Sequence, residues 1–496
     1  MPRDHDYHQD VLALIFGWRF LDWVEVLLGI SIGLGLLSAG HAVINKRDPR
    51  SASLWVILSF LLPTVGPFLY LAAGINRTQR RARRRMVGYR FRTRGGGVQG
   101  GPAELPPQVG HLESLARLGD RLLPEPLVGG NAIEPLFNGE QTFPAMLEAI
   151  AGAQRTITCC SYIYDFDDIG RQFIEALVAA RRRGVQVKLL IDGIGGYWYF
   201  SRVHRTLKRS GLRPASFAPL GLLPSRLMHL NLRNHRKILV IDGRVGFTGG
   251  LNISACQLAD NLENPHRFMD VHFRLRGPIV THLQNAFADD WDFATDEVLE
   301  GPDYFPPQEP AAAGEAVARG IADGPDEHLR KLPWIIIGAC QAARRSIRIM
   351  TPYFIPDAPL KSALIAAALR GVAVTILIPK VSDVPTVKWA STAYLWEFLE
   401  HGIQVVWSGP PFHHTKLMLV DDRWTLLGSA NLDPRSLRLN FEFDVEVYDP
   451  RLFDALSAHI DAVAAAGDPL TLKRVDSRSL PTRLRDGVAK LFSPYL

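Results

Sequence analysis

Cysteine is scarce in this 496-residue chain: there are four, Cys159, Cys160, Cys256 and Cys340. None forms a C-x-x-C pair and none stands at zinc-like spacing from histidine, which argues against a zinc module and against a disulfide scaffold. Reduced thiols are expected instead. No carboxylate cluster points to a metal either, so no metal and no other cofactor is expected. Charge is missing from two long runs: residues 26–45 and 51–76 hold no Asp, Glu, Lys or Arg. Acid is missing from residues 77–94, RTQRRARRRMVGYRFRTR, which hold nine Arg. Setting those nine aside leaves 47 basic against 50 acidic residues, so the formal charge of +6 is local to one stretch. A nucleic-acid binder spreads basic charge over its working domain, and no nucleic-acid partner is expected. Basic charge beside an apolar run fits an anionic membrane surface. A secretory signal is also lacking. The first 23 residues mix Arg3, Asp4, Asp6, Asp10, Arg19 and Asp22 with VLALIFGW and end in no small-residue cleavage site. That mixture fits an interfacial helix.

A bilayer core of ~30 Å takes about 20 residues of helix, so each uncharged run is long enough to span. The expectation is two transmembrane helices, at about 24–45 and 53–75. Pro63, Gly66 and Pro67 interrupt the second run, which leaves a kinked span or a re-entrant hairpin open. The intervening loop holds Lys46, Arg47 and Arg50, and the nine Arg follow the second run. The larger basic cluster belongs on the cytoplasmic side. Both termini and everything after residue 76 are then cytoplasmic.

Residues 95–109 are rich in Gly and Pro and read as a linker. An α/β pattern follows. RTITCCSYIY (155–164) reads as a strand, GRQFIEALVAARRRG (170–184) as an amphipathic helix with a glycine stop, and VQVKLLID (185–192) as a second strand. After PPQEPAAAGEA (306–316) the pattern returns as RSIRIMTPYF (345–354), PLKSALIAAALRG (359–371) and VAVTILIP (372–379). A domain is therefore duplicated. The expected divisions are a membrane region over 1–76, a basic segment and linker over 77–110, and α/β domains over 111–305 and 316–496.

The strongest signal is also written twice. From His235 the chain reads HRKILVID, GRVGFT, GGLN; from His414 it reads HTKLMLVD, DRWTLL, GSAN. Both are H-x-K, four residues, Asp, six residues, Gly-Gly/Ser, one residue, Asn. Each reads as a strand, a tight turn and a second strand, with His235 and Lys237, or His414 and Lys416, on one face. Such groups suit a phosphodiester. A neutral imidazole attacks phosphorus, and a protonated one gives a proton to the leaving alcohol. Lys237 and Lys416 place positive charge at the non-bridging oxygens. Asn252 and Asn431, with the backbone at Gly249–Gly250 and Gly428–Ser429, add hydrogen bonds. Asp242 and Asp421 complete the motifs, but each falls where a turn is expected and has a structural alternative. Asp270, in FMDVHF, and Glu442, in LRLNFEFD, are candidates to orient the imidazoles.

This constellation resembles the phospholipase D superfamily and its duplicated HKD motif, and within it the membrane-anchored bacterial cardiolipin synthases. NLRNHRKILVIDG, TGGLNI, MDVHFRLRGP and FADDW carry the resemblance in the first half. TPYFIPD, HTKLMLVDDRWTLLGSANLDPRSLRLNFE and the closing LFSPYL carry it in the second. SACQLAD after Asn252 departs from it, since the family more often has an acidic-aromatic pair there. The resemblance implies two tandem phospholipase D-like α/β domains, each a mixed β-sheet flanked by helices, preceded by two transmembrane helices in the bacterial inner membrane. It implies transfer of a phosphatidyl group between two phosphatidylglycerols through a phosphatidyl-histidine, giving cardiolipin and glycerol. The rivals are a hydrolytic phospholipase D, a nucleic-acid phosphodiesterase of the same superfamily and a non-catalytic membrane scaffold. The acidic remainder and the two apolar runs argue against the phosphodiesterase, and two intact motifs argue against the scaffold.

Overall fold

The computed structural model describes residues 6–46, 49–74, 103, 105, 107–193, 201–217, 232–307, 313–325 and 331–493. The arginine run 77–94 and most of the 95–109 linker lie outside them. The chain forms two compact units, Met1–Arg81 and Ala82–Leu496.

The first unit holds one 40-residue helix, Asp6–Asn45. Its apolar part, Glu25–Asn45, is the one helix among the described residues long and apolar enough to cross a membrane. The second run is not one continuous helix over 53–75 but is broken, an outcome that Pro63, Gly66 and Pro67 left open. Helix Pro49–Leu61 stops, and after a turn the chain resumes as Val65–Leu69 and a π-helical turn, Tyr70–Gly74. Pro63 has no N–H to continue the helix ladder, and its ring clashes with the preceding turn. Gly66 then packs so closely on the Leu58 backbone that a Cβ would lie 2.3 Å from the Leu58 oxygen. The returning segment meets the long helix through His41 Nδ1 and the Tyr70 hydroxyl at 2.7 Å, with the Trp55 ring edge-on to Tyr70.

The second unit is built on one large sheet. Its first-half strands are β1 (Val128–Phe137), β2 (Thr156–Ser161), β3 (Gln186–Asp192), β4 (Ala215–Phe217), β5 (Arg233–Asn234), β6 (Ile238–Ile241), β7 (Val245–Gly249), β8 (Phe268–Met269) and β9 (Val271–Arg276). The second half gives β10 (Ala316–Asp323), β11 (Ser346–Met350), β12 (Ala373–Pro379), β13 (Gln404–Ser408), β14 (Phe412–His413), β15 (Leu417–Val420), β16 (Trp424–Gly428), β17 (Asn440–Tyr448) and β18 (Asp468–Pro469). The order is β18-β13-β12-β11-β15-β16-β17-β10-β1-β9-β7-β6-β2-β3-β4. Apart from the short edge strand β18, the order reads the same from both ends once β1 is matched with β10, β2 with β11 and β9 with β17. The duplication seen in the sequence is thus a twofold repeat within one sheet, joined where β1 and β10 pair antiparallel.

Both faces are covered. Helices Asp168–Arg182 and Ile279–Thr295 pack on the first half, and Lys331–Ala342, Ala358–Leu369 and Pro450–Ala465 on the second. Strands covered on both sides need continuous apolar runs rather than alternation. ILVI in β6 and LMLV in β15 are fully buried runs of that kind.

Candidate functional site

The two motif hairpins lie at equivalent places, β6–β7 and β15–β16. Their turns need left-handed backbone: φ is 52° at Asp242 and 64° at Gly243 in the first, 54° at Asp421 and 58° at Asp422 in the second. Asp and Gly tolerate that region best. The carboxylates of Asp242 and Asp421 serve the turn. Asp242 accepts from the amides of Gln154, Arg155 and Thr156 at 2.9, 2.7 and 2.8 Å. Asp421 accepts from Arg344, Arg345 and Ser346 at 2.7, 2.7 and 2.9 Å, and from His111 Nε2 at 3.0 Å. On this geometry each carboxylate pins a hairpin to the start of β2 or β11, the structural alternative that a turn position allows.

His235 and His414 sit just before β6 and β15, not within them. Each is held by a two-residue strand that pairs with the opposite half. β5 runs parallel to the start of β17, and His235 N donates to Phe441 O at 2.9 Å. β14 runs parallel to β8, and His414 N donates to Met269 O at 2.7 Å. The orienting carboxylates come across the same seam. His235 Nδ1 lies 2.9 Å from Glu442 Oε2, and His414 Nδ1 lies 2.8 Å from Asp270 Oδ2. Both histidines are therefore oriented by the other half of the repeat, and each Nε2 is left for chemistry. The sequence marked both acids as candidates but not this exchange.

The two acids are steadied differently. Ser429 Oγ donates to Glu442 Oε2 at 2.6 Å, and Asn440 Nδ2 donates to Oε1 at 3.1 Å. At the matching first-half position, Gly250 leaves no room for a side chain: a Cβ would lie 2.3 Å from Asp270 Oδ2. Asp270 instead takes the Val271 amide at 2.8 Å. Lys237 Nζ donates to the His235 carbonyl at 2.7 Å, and Lys416 Nζ makes the matching bond to His414 O. Asn252 Oδ1 accepts from Ile163 N at 3.1 Å, while Asn431 Oδ1 is buried without a partner. Gly249 and Gly428, at φ 148° and 157°, let the hairpin strands press against His272 and Asp444.

Aromatic rings unmarked by the sequence wall the histidines. Tyr162 meets His235 edge-on at 5.0 Å, and Lys237 lies over the same ring at 5.4 Å. Phe268 stacks on His414 at 5.9 Å, with Phe412 at 6.1 Å. The aromatics of SYIY (161–164) were the available signal for Tyr162, but only the fold shows which ring reaches an imidazole.

Burial sets the electrostatics. It pulls His235 down to about 4, against the opposing pull of Glu442, and it lowers His414 as well. It pulls Lys237 down to about 7 and Lys416 to about 8. Burial pushes Glu442 up, but the His235 ring, Lys237 and Ser429 together hold it below its usual value. The charge of Lys416 reaches His235, and that of Lys237 reaches His414, so the four groups share one field. Burial disfavours the charged form of each of these groups, and a phosphodiester placed among them would oppose that shift. No group of three or more His, Cys, Asp or Glu among the described residues is placed to hold a metal ion.

A doubled histidine–lysine pair on a twofold α/β sheet defines the phospholipase D superfamily. The sequence profile described as "Cardiolipin synthase, PLD-like domain" matches residues 146–291 and 336–464, and one described as "Phospholipase_D-nuclease N-terminal" matches residues 35–74. The chain belongs to the bacterial cardiolipin synthase family of that superfamily. It is 32% identical over 490 residues to a cardiolipin synthase of Alkalihalophilus pseudofirmus, covering 98% of this chain and 97% of that one. It is 31% identical over 487 residues to the major cardiolipin synthase of Bacillus subtilis, covering 95% and 99%. The fold matches the crystal structure of phosphatidylserine synthase from Haemophilus influenzae with a TM-score of 0.62 at 16% identity, over 77% of this chain and 100% of that one.

Proposed function

We propose that this chain is a phosphatidyltransferase that makes cardiolipin and glycerol from two phosphatidylglycerols. The observation that carries the reading is the exchange of carboxylates, which holds two imidazoles in one enclosed, cation-rich site. His235, kept neutral by burial, attacks phosphorus through Nε2 while Glu442 takes up the positive charge growing on the ring. His414, protonated once the substrate's charge is in place, donates from Nε2 to the glycerol oxygen as the P–O bond breaks. Glycerol leaves and a phosphatidyl-histidine remains. Neutral His414 then takes the proton from the hydroxyl of a second phosphatidylglycerol. That oxygen attacks phosphorus, the P–N bond breaks, and His235 is restored. Lys237, Lys416 and the amides of Asn252 and Asn431 stabilise the non-bridging oxygens. Asp270 orients His414.

In this reading residues 1–76 anchor the chain in the inner membrane. Two apolar segments form a hairpin, 77–110 lie at the anionic surface, and the domains 111–305 and 316–496 are cytoplasmic. Thiol labelling at a cysteine introduced near residue 100 tests that placement, and reaction from outside intact cells refutes it. Mass spectrometry of the lipids formed by the purified full chain in phosphatidylglycerol vesicles tests the activity. Cardiolipin with free glycerol is expected. Phosphatidic acid without cardiolipin overturns the transferase reading in favour of hydrolysis.

A further inference from the structure

The C-terminal helix Leu480–Leu491 presents an apolar stripe to solvent. Leu480, Leu484, Val488 and Leu491 are 68, 60, 54 and 76% exposed, and Phe492 just beyond is 57% exposed. At about 100° per residue these five fall within an arc of roughly 120°. Soluble surfaces scatter apolar side chains singly and rarely align them in this way. The opposite side of the helix is docked: Ala489 packs with Ile355, Val387 and Ala390.

The charge beside the stripe has one sign. Arg483, Arg485 and Lys490 flank it. Arg485 lies over the Trp389 ring at 4.6 Å and Lys490 over the Tyr394 ring at 4.2 Å, so aromatic faces fix both at the edges. The one acid of the helix, Asp486, is buried and paired with Arg478 and Arg485 at 2.6 and 2.7 Å. An apolar arc bordered by cations, with no exposed acid, is the pattern of a helix lying in an anionic lipid interface.

This helix is also tied to the site. Its docking cluster is flanked by Tyr353, whose hydroxyl donates to Asp383 at 2.7 Å and whose ring lies 6.2 Å from Phe412. Phe412 in turn lies 6.1 Å from His414. We propose that the exposed face of helix Leu480–Leu491 docks on an anionic lipid monolayer and holds the mouth of the active site against it. The proposal rests on the reading of a membrane-lipid substrate, and it adds a contact that the N-terminal anchor does not provide.

The test uses the full chain reconstituted in vesicles. A bimane label on Leu484→Cys, in a Cys256→Ser background since the other three cysteines are buried, is challenged with lipids brominated on the acyl chain. Quenching in phosphatidylglycerol-containing vesicles, weaker in phosphatidylcholine alone, is expected. The double variant Leu484→Gln, Val488→Gln should lose about tenfold in activity on phosphatidylglycerol vesicles, because two apolar side chains no longer leave water. On monomeric short-chain phosphatidylglycerol it should stay within twofold of the parent. A label blind to the brominated lipids overturns the proposal, as does an equal loss on both substrates. Quenching that follows protein density and not lipid composition assigns the face to a second copy and also overturns it. Lipid quenching in a parent that forms no cardiolipin supports docking while refuting the assigned reaction.

Discussion

Glu442 is the residue on which the geometry makes its sharpest demand. Its Oε2 receives both the His235 Nδ1 proton and the Ser429 hydroxyl, at 2.9 and 2.6 Å, while Oε1 faces the Asn440 amide at 3.1 Å. In Glu442→Gln the new carbonyl oxygen takes the Oε2 place, because two donors already point there. The new amide nitrogen then faces Asn440, whose Oδ1 has no partner and turns to accept it. The tautomer of His235 survives and only the charge is lost. A hydrogen bond to a charged group contributes about 1.5–3 kcal/mol, so kcat should fall roughly 10- to 200-fold at about 1.36 kcal/mol per decade. Glu442→Ala also leaves His235 and Ser429 without an acceptor. Removing one partner of a buried charged pair costs about 3–5 kcal/mol, or roughly 10²- to 10⁴-fold. The assay is the burst of p-nitrophenol from a phosphatidyl p-nitrophenyl ester, whose leaving group needs no proton. Both Glu442 variants should remain slow on it, whereas Asp270→Asn, which acts through His414, should recover most of its loss. Recovery in the Glu442 variants and not in Asp270→Asn would make His414 the nucleophile. A Glu442→Gln kcat within threefold of the parent on phosphatidylglycerol refutes the positioning argument itself.

With Lys237 pulled down to about 7 and Lys416 to about 8, both lose their protons as pH rises through 7–8. The kcat/KM should fall on that side, and below about pH 4 as His235 protonates. A flat profile from pH 6 to 10 contradicts this, and Lys237→Arg should move the alkaline limb upward. Asp421→Ala strips an acceptor from three amides. It should lower unfolding stability by about 3 kcal/mol or more in a denaturant titration. The surviving folded enzyme should keep its kcat, and a hundredfold loss at unchanged stability would return Asp421 to the chemistry. Dialysis against a strong chelator should leave turnover intact, and activity restored by one specific divalent cation would refute metal-free chemistry.

What the sequence made legible was repetition. Two H-x-K motifs with identical spacing, each following a strand–helix–strand pattern, marked the histidines, the lysines and a duplicated domain, though not that both copies share one sheet. Hydropathy counting did not see where the second apolar run breaks, because Pro63 alters backbone hydrogen bonding and not transfer energy. Spacing also left Asp242 and Asp421 open between the chemistry and the turn. A turn that must pin itself to a neighbouring strand repeats as faithfully as a catalytic group, and the left-handed backbone at both positions explains the repeat. The exchange of carboxylates was beyond reach for another reason. It depends on β5 with β17 and on β14 with β8, pairs of two residues each. Segments that short have no periodicity to read, and the partners stand 207 and 144 residues from their histidines.

That exchange bears on how the repeat works. A single half would present a histidine and a lysine with no carboxylate on Nδ1, and a carboxylate with no histidine. Joining two copies through β1 and β10 completes both imidazoles at once. Each is then fixed by a group that its own domain cannot move independently. The halves need not remain identical once joined. Ser429 steadies Glu442 where Gly250 leaves Asp270 to a backbone amide. One orienting carboxylate is thereby held by a side-chain network and the other by a main-chain amide. That difference suits the two unlike roles proposed for the imidazoles, nucleophile and proton carrier.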